Sequence, residues 1–94
     1  MQVSYSMKVT VPDEVMFRDL DGEAVLLNLD NENYYGLDEV GTRIWTVLTT
    51  TNSIQEAYDI LINEYDTEPE VLKVDLSELV QELQKQGLID LSDD

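Results

Sequence analysis

The chain contains neither histidine nor cysteine, so the commonest general base and the best nucleophile are both missing. Ser53 and Ser77 have no imidazole to activate them. Carboxylates are abundant, 21 Asp and Glu against five Lys and Arg, and that abundance makes any single acid pair uninformative. The stretch "DLDGE", Asp19 to Glu23, resembles part of a calcium loop. Such a loop needs an oxygen ligand two residues before Asp19, where Phe17 stands, and a glutamate six residues after Gly22, where Asn28 stands. A β-turn explains it better. "DLSEL", Asp75 to Leu79, sets a serine among acids, as acyl-carrier proteins do. Those proteins hold the serine at the start of a helix in an all-helical bundle, whereas Ser77 falls well inside a helix of a chain that begins with strands. The residues therefore indicate no catalytic site, no metal site and no cofactor.

The formal charge of −16 is spread along the chain, −6 over residues 1–47 and −10 over residues 48–94. A polyanion repels nucleic acid and anionic lipid, and it favours solubility and neutral or basic partners. The lack of cysteine fits a reducing cytoplasm. No apolar run reaches the roughly 18 residues of a membrane span, and "MQVSYSMKV" lacks the features of a secretion signal. The length suggests one domain over 1–94.

Which elements would carry a surface of this kind? "SMKVTVP" alternates Met7, Val9 and Val11 with polar residues until Pro12, so residues 1–12 read as a loose arm or an edge strand. "VMFRDL" (Val15 to Leu20), the turn Asp21-Gly22, and "EAVLLNLD" form a hairpin. Val25, Leu27 and Leu29 share one face of its second strand and Leu26 the other, which implies a central strand covered on both sides. After a turn at Asn31 to Asn33, "YYGL" is a third strand. From Leu37 the apolar period becomes 3.6. Asp38 reads as an N-cap, with Val40, Ile44, Val47 and Leu48 on one face and Gly41 allowing a close approach. Ser53 and Glu56 form a capping box for a second helix, and Thr67 and Glu70 another for a third, with Pro69 in its first turn. Leu72, Leu76, Leu79 and Leu83 are the third helix's core stripe. Gly87 ends it, Leu88 and Ile89 fold back, and residues 90–94 are an acidic tail. Strands followed by helices give an α+β fold, here winged-helix-like: a three-stranded antiparallel sheet, then three α-helices.

A winged helix suggests DNA, with the third helix in the major groove. That helix carries Glu68, Glu70, Asp75, Glu78 and Glu82 against Lys73 and Lys85, and phosphate repulsion argues against nucleic acid. Peptide or protein recognition remains. The third strand ends the meander and its outer main-chain groups lack a partner within the sheet, which invites an added strand. A helix or the N-terminal arm covering that edge, or a homodimer through it, is the alternative.

The run "VMFRDLDGEAVLLNLDNENYYGLDEVGTRIWTVL", continued by "SIQEAYDILINEYD" and "VDLSELVQELQKQGLI", resembles the PqqD-like family of precursor-peptide recognition elements. The likeness spans Val15 to Ile89. It rests most specifically on "GEAVLLN", "YYGLDEVGTRIW" and "DLSELVQELQKQGLI", and is nearest to the stand-alone form of lasso-type peptide pathways. The resemblance implies a non-catalytic protein that binds the leader of a ribosomally made precursor peptide and presents it to a modifying enzyme such as a radical-SAM protein, a peptidase or a cyclase. It also implies the mode: an antiparallel strand added between the third strand and the third helix. Carried onto this chain, Asn33, Tyr34, Tyr35, Gly36 and Leu37 supply the edge. With the core stripe occupied, the neighbouring helix face, Lys73, Ser77, Val80 and Gln84 at i, i+4, i+7 and i+11, is the expected wall. A core role is the alternative for Val80. Proline at Tyr35 is then expected to abolish binding.

Overall fold

The structure, a computed structural model, describes residues 5–92. A short strand β1 (Lys8–Thr10) is followed by β2 (Val15–Leu20), β3 (Glu23–Asn28) and β4 (Tyr34–Leu37), then by helices α1 (Glu39–Thr50), α2 (Ile54–Glu64) and α3 (Pro69–Lys85), and last by β5 (Asp90–Ser92). β2, β3 and β4 form the antiparallel meander, in that order. The turn between β2 and β3 has Asp21 and Gly22 both at positive φ, the geometry of a two-residue hairpin, and Asp19 Oδ1 accepts from the Gly22 amide. The calcium-like stretch is this turn.

β1 pairs with β5 as a separate antiparallel ribbon, Val9 opposite Leu91. Residues 8–10 are thus neither loose nor attached to the meander, and residues 90–92 form a strand where a tail is expected. The ends, 1–4 and 93–94, lie outside the described residues.

The helices cover one face of the sheet, and this corrects the reading of β3. Ala24, Leu26 and Asn28 point into the core, Val25 and Leu27 are half-buried on the open face, and Leu29 has left the strand and is exposed. The strand is central but covered on one side only. Trp45 joins the core and stacks on Phe17, ring centroids 6.2 Å apart.

Helix ends follow local chemistry. Asp38 Oδ1 caps α1 by accepting from the Gly41 amide at 2.7 Å, and Ser53 Oγ accepts from the Glu56 amide. The Cβ that Gly41 lacks would meet Asp38 Oδ1 at 3.2 Å and Leu37 Cδ2 at 3.2 Å, so the close approach is to the helix's own entry. No Thr67 cap forms. Pro69 occupies the first helical position and disfavours helical backbone at Glu68, which becomes an extended N-cap without a side-chain bond. Gly87, at φ 75°, closes α3. Its amide donates to Gln84 and that of Leu88 to Leu83, and Leu83 and Leu88 are both buried.

Candidate functional site

The register of β4 decides which of its groups are available. Asn28 donates its amide to the Asn33 carbonyl at 2.8 Å, which makes Asn28–Asn33 a hydrogen-bonded pair. Alternation then gives Leu26–Tyr35 the same status, and at Ala24–Leu37 the Ala24 amide donates to Thr42 Oγ1, which reaches the Leu37 carbonyl. The main-chain groups of Tyr35 and Leu37 therefore face β3, and those of Tyr34 and Gly36 face away from the sheet. Among the described residues no hydrogen bond reaches these outward groups. Side chains alternate in the same way. Tyr35 is half-buried and packs on the core, Leu37 is buried, and Tyr34 stands on the open face at 75% exposure. A Cβ added at Gly36 would meet nothing within 4 Å.

The expected helix wall divides. Val80 is fully buried, a core residue with no surface for a guest. Lys73 and Ser77 face the N-terminal segment: the Tyr5 hydroxyl donates to the Lys73 carbonyl at 3.1 Å and lies 3.4 Å from Ser77 Oγ. That segment is held in turn by α2, whose Ile54 and Gln55 amides donate to Met7 and Tyr5. Gln84 is exposed and follows Lys73 and Ser77 along the same line of the helix. β4 lies at the other flank. Asp75 borders a cleft at the end of β4, and the Gln86 carbonyl, just past the helix, is 3.5 Å from the Asn33 side-chain amide that donates to it. Asp75, Leu79, Glu82 and Gln86 fall at i, i+4, i+7 and i+11, the spacing expected for the wall, displaced by two residues. Leu79 is half-buried against the core.

The cleft has a volume of about 350 Å³. Ile44 and Leu72 are its buried apolar members, Val40 and Tyr65 its accessible ones, and Asp38 and Asp75 its acids. Val40, read from periodicity as core, is 51% exposed and lines this opening. A shallower depression of about 330 Å³ lies past Gly36 on the other side, with Leu20, Glu23, Val25, Leu37 and again Asp38 around it.

The opposite end of the gap between β4 and α3 is fixed by a residue that patterning does not single out. Asn28 is buried, its Nδ2 donates to the Gly87 carbonyl at 2.7 Å, and its Oδ1 accepts from the Asp30 and Asn31 amides. A polar residue at an inward position of an otherwise apolar strand is the signal that marks it. At Gly87 a Cβ would press on the Asn31 and Asn28 side-chain nitrogens at 3.1 and 3.3 Å. Turn and helix end are therefore locked together, and this sets the spacing of β4 from α3.

Arg43 and Glu64 form the ion pair found among the described residues. The Arg43 hydrogen bond holds the Glu64 carboxyl below the usual carboxylate range. Neither residue lines the cleft, although each adjoins a residue that does, Ile44 for Arg43 and Tyr65 for Glu64.

The site thus combines a small antiparallel sheet, whose β4 edge is unpaired, with an apolar cleft past the end of β4 between α1 and the start of α3. Residues 23–89 match the family model "Coenzyme PQQ synthesis protein D (PqqD)", and the chain belongs to this family. A comparison with curated protein sequences finds no match. Among solved structures, "TbiB1 in Complex with the TbiA(beta) Leader Peptide" is similar at 32% identity and a TM-score of 0.79, covering 85% of this chain and 93% of that one. "Lasso peptide synthetase B1 complexed with the leader peptide" shares the fold at 23% identity and a TM-score of 0.79, covering 88% and 98%. No helix among the described residues is long and apolar enough to cross a membrane.

Proposed function

We propose that the protein binds the leader segment of a ribosomally made precursor peptide as an antiparallel strand on β4. It acts in the cytoplasm as one recognition unit without catalysis of its own, and it presents the peptide to a modifying enzyme. The observation that carries this reading is the outward pair Tyr34 and Gly36, unpaired within the fold, on a strand that ends at an apolar cleft. The leader-bound state of TbiB1, at 32% identity, supports it. β2 is also an edge, but it touches the depressions described above only through Leu20 at its end, and it carries the charged Arg18 and Asp19. Four main-chain hydrogen bonds at about 0.5–1.5 kcal/mol each do little more than offset the roughly 2–5 kcal/mol of ordering a disordered leader. Affinity must therefore come from apolar side chains entering the cleft, at about 1.5–3 kcal/mol apiece.

The register also corrects the site of the proline test. Tyr35 is bonded into the β3 ladder, so proline there would break the sheet. Gly36 directs its amide outward, and an added Cβ would meet nothing within 4 Å. Gly36→Pro is expected to weaken binding of a synthetic precursor leader peptide by about 100-fold or more. The thermal midpoint should be nearly unchanged. In the wild type the Tyr34 and Gly36 amide resonances should move most on titration. Full affinity in the variant, or a tight dimer of the isolated protein that hides β4, would overturn the reading.

A further inference from the structure

The cleft past the end of β4, between α1 and the start of α3, is apolar inside and acidic at its border. Asp38 approaches from the end of β4 and Asp75 from α3, both exposed, and Asp38 also borders the second depression together with Glu23. None of the five basic residues lines either depression. Arg43 is held by Glu64, and Lys73 sits 5.7 Å above the Tyr58 ring on the opposite flank of α3. Arg18 is on the open sheet face, Lys8 is in β1, and Lys85 is in the last turn of α3. Asp38 commits one oxygen to capping α1, which leaves the other for a guest.

We infer that the recognised peptide carries a lysine or arginine in the part of its strand that passes Leu37 and Asp38, beside the apolar side chain that fills the cleft. This rests on the strand-addition reading and narrows its ligand to an extended basic–apolar peptide. An antiparallel guest runs opposite to β4, so the base lies toward the N-terminal end of the bound segment. A cleft bordered by one sign of charge concentrates the field on such a group. The long stem of Lys or Arg can lie along the apolar lining while its head stays at the carboxylates.

The test uses the full chain and a displayed library of random peptides. The wild type should enrich peptides with Lys or Arg at a fixed distance from an apolar residue. The double variant D38N/D75N should keep its thermal midpoint, because Asn caps a helix as well as Asp does and Asp75 is exposed. It should bind an enriched peptide roughly tenfold more weakly. High salt should bring the wild type down to the same level. Enrichment of apolar extended peptides without a base, or full affinity in the double variant, would overturn the inference and leave strand addition standing. No enrichment, or enriched peptides indifferent to Gly36→Pro, would remove both.

Discussion

The two flanks of α3 carry side chains at the same spacing and differ in everything else. On one, Lys73 and Ser77 are engaged by Tyr5 and the N-terminal segment, with Gln84 further along. On the other, Asp75 borders the cleft past the end of β4, and at the far end the Gln86 carbonyl accepts from the Asn33 side chain, with Leu79 and Glu82 between them along the helix. The two lines are displaced by two residues, about 200° around a helix of 3.6 residues per turn. Periodicity finds a helix's buried stripe. Which flank of that stripe meets the sheet depends on how β1, β5 and α2 pack around it.

The comparison can be broken most severely at the cleft. Val40→Glu places a charge on an exposed, helix-compatible position and is expected to weaken leader binding about thirtyfold, the loss of one buried apolar contact. Thermal stability should barely change. Isothermal titration measures the first and a melt the second, and equal affinity would mean that the cleft is not used.

Asn28→Ala comes next. It removes the bond to Gly87 and leaves that carbonyl and two turn amides short of a partner, which should cost about 2 kcal/mol in chemical denaturation. Because the lock sets the gap between β4 and α3, affinity should fall as well. A variant that loses stability but binds normally would show that the spacing is held elsewhere.

The smallest effect sharpens the contrast. Tyr5→Phe deletes the hydroxyl that ties the N-terminal segment to Lys73 and Ser77, at a cost of about 0.5–1.5 kcal/mol of stability. Leader affinity should remain within twofold, roughly 0.4 kcal/mol. A larger drop would return that flank to the binding surface.

Much of the fold is legible from residues alone. Asp21-Gly22, Asp38, Ser53 and Gly87 mark their turn and helix ends through local chemistry, and the structure has each where the sequence puts it. Strand faces are harder. β3 is apolar at both alternations, and only the one-sided placement of the helices makes Ala24 and Leu26 the inward set. The strand half of the candidate site, Asn33 to Leu37, follows from its position at the end of the meander. Its helix half does not, because Asp75 and Leu79 have no local signature that separates them from Lys73 and Ser77. Residues 8–10 and 90–92 are too short to announce a ladder that exists only because they meet at opposite ends of the sequence.

That ladder has a practical corollary. Lys8 lies opposite Ser92, so the chain enters β1 and leaves β5 at one corner. An enzyme tethered just before β1 or just after β5 would be anchored at nearly the same point. Its effective concentration at the bound peptide would then depend on linker length far more than on which terminus carries it.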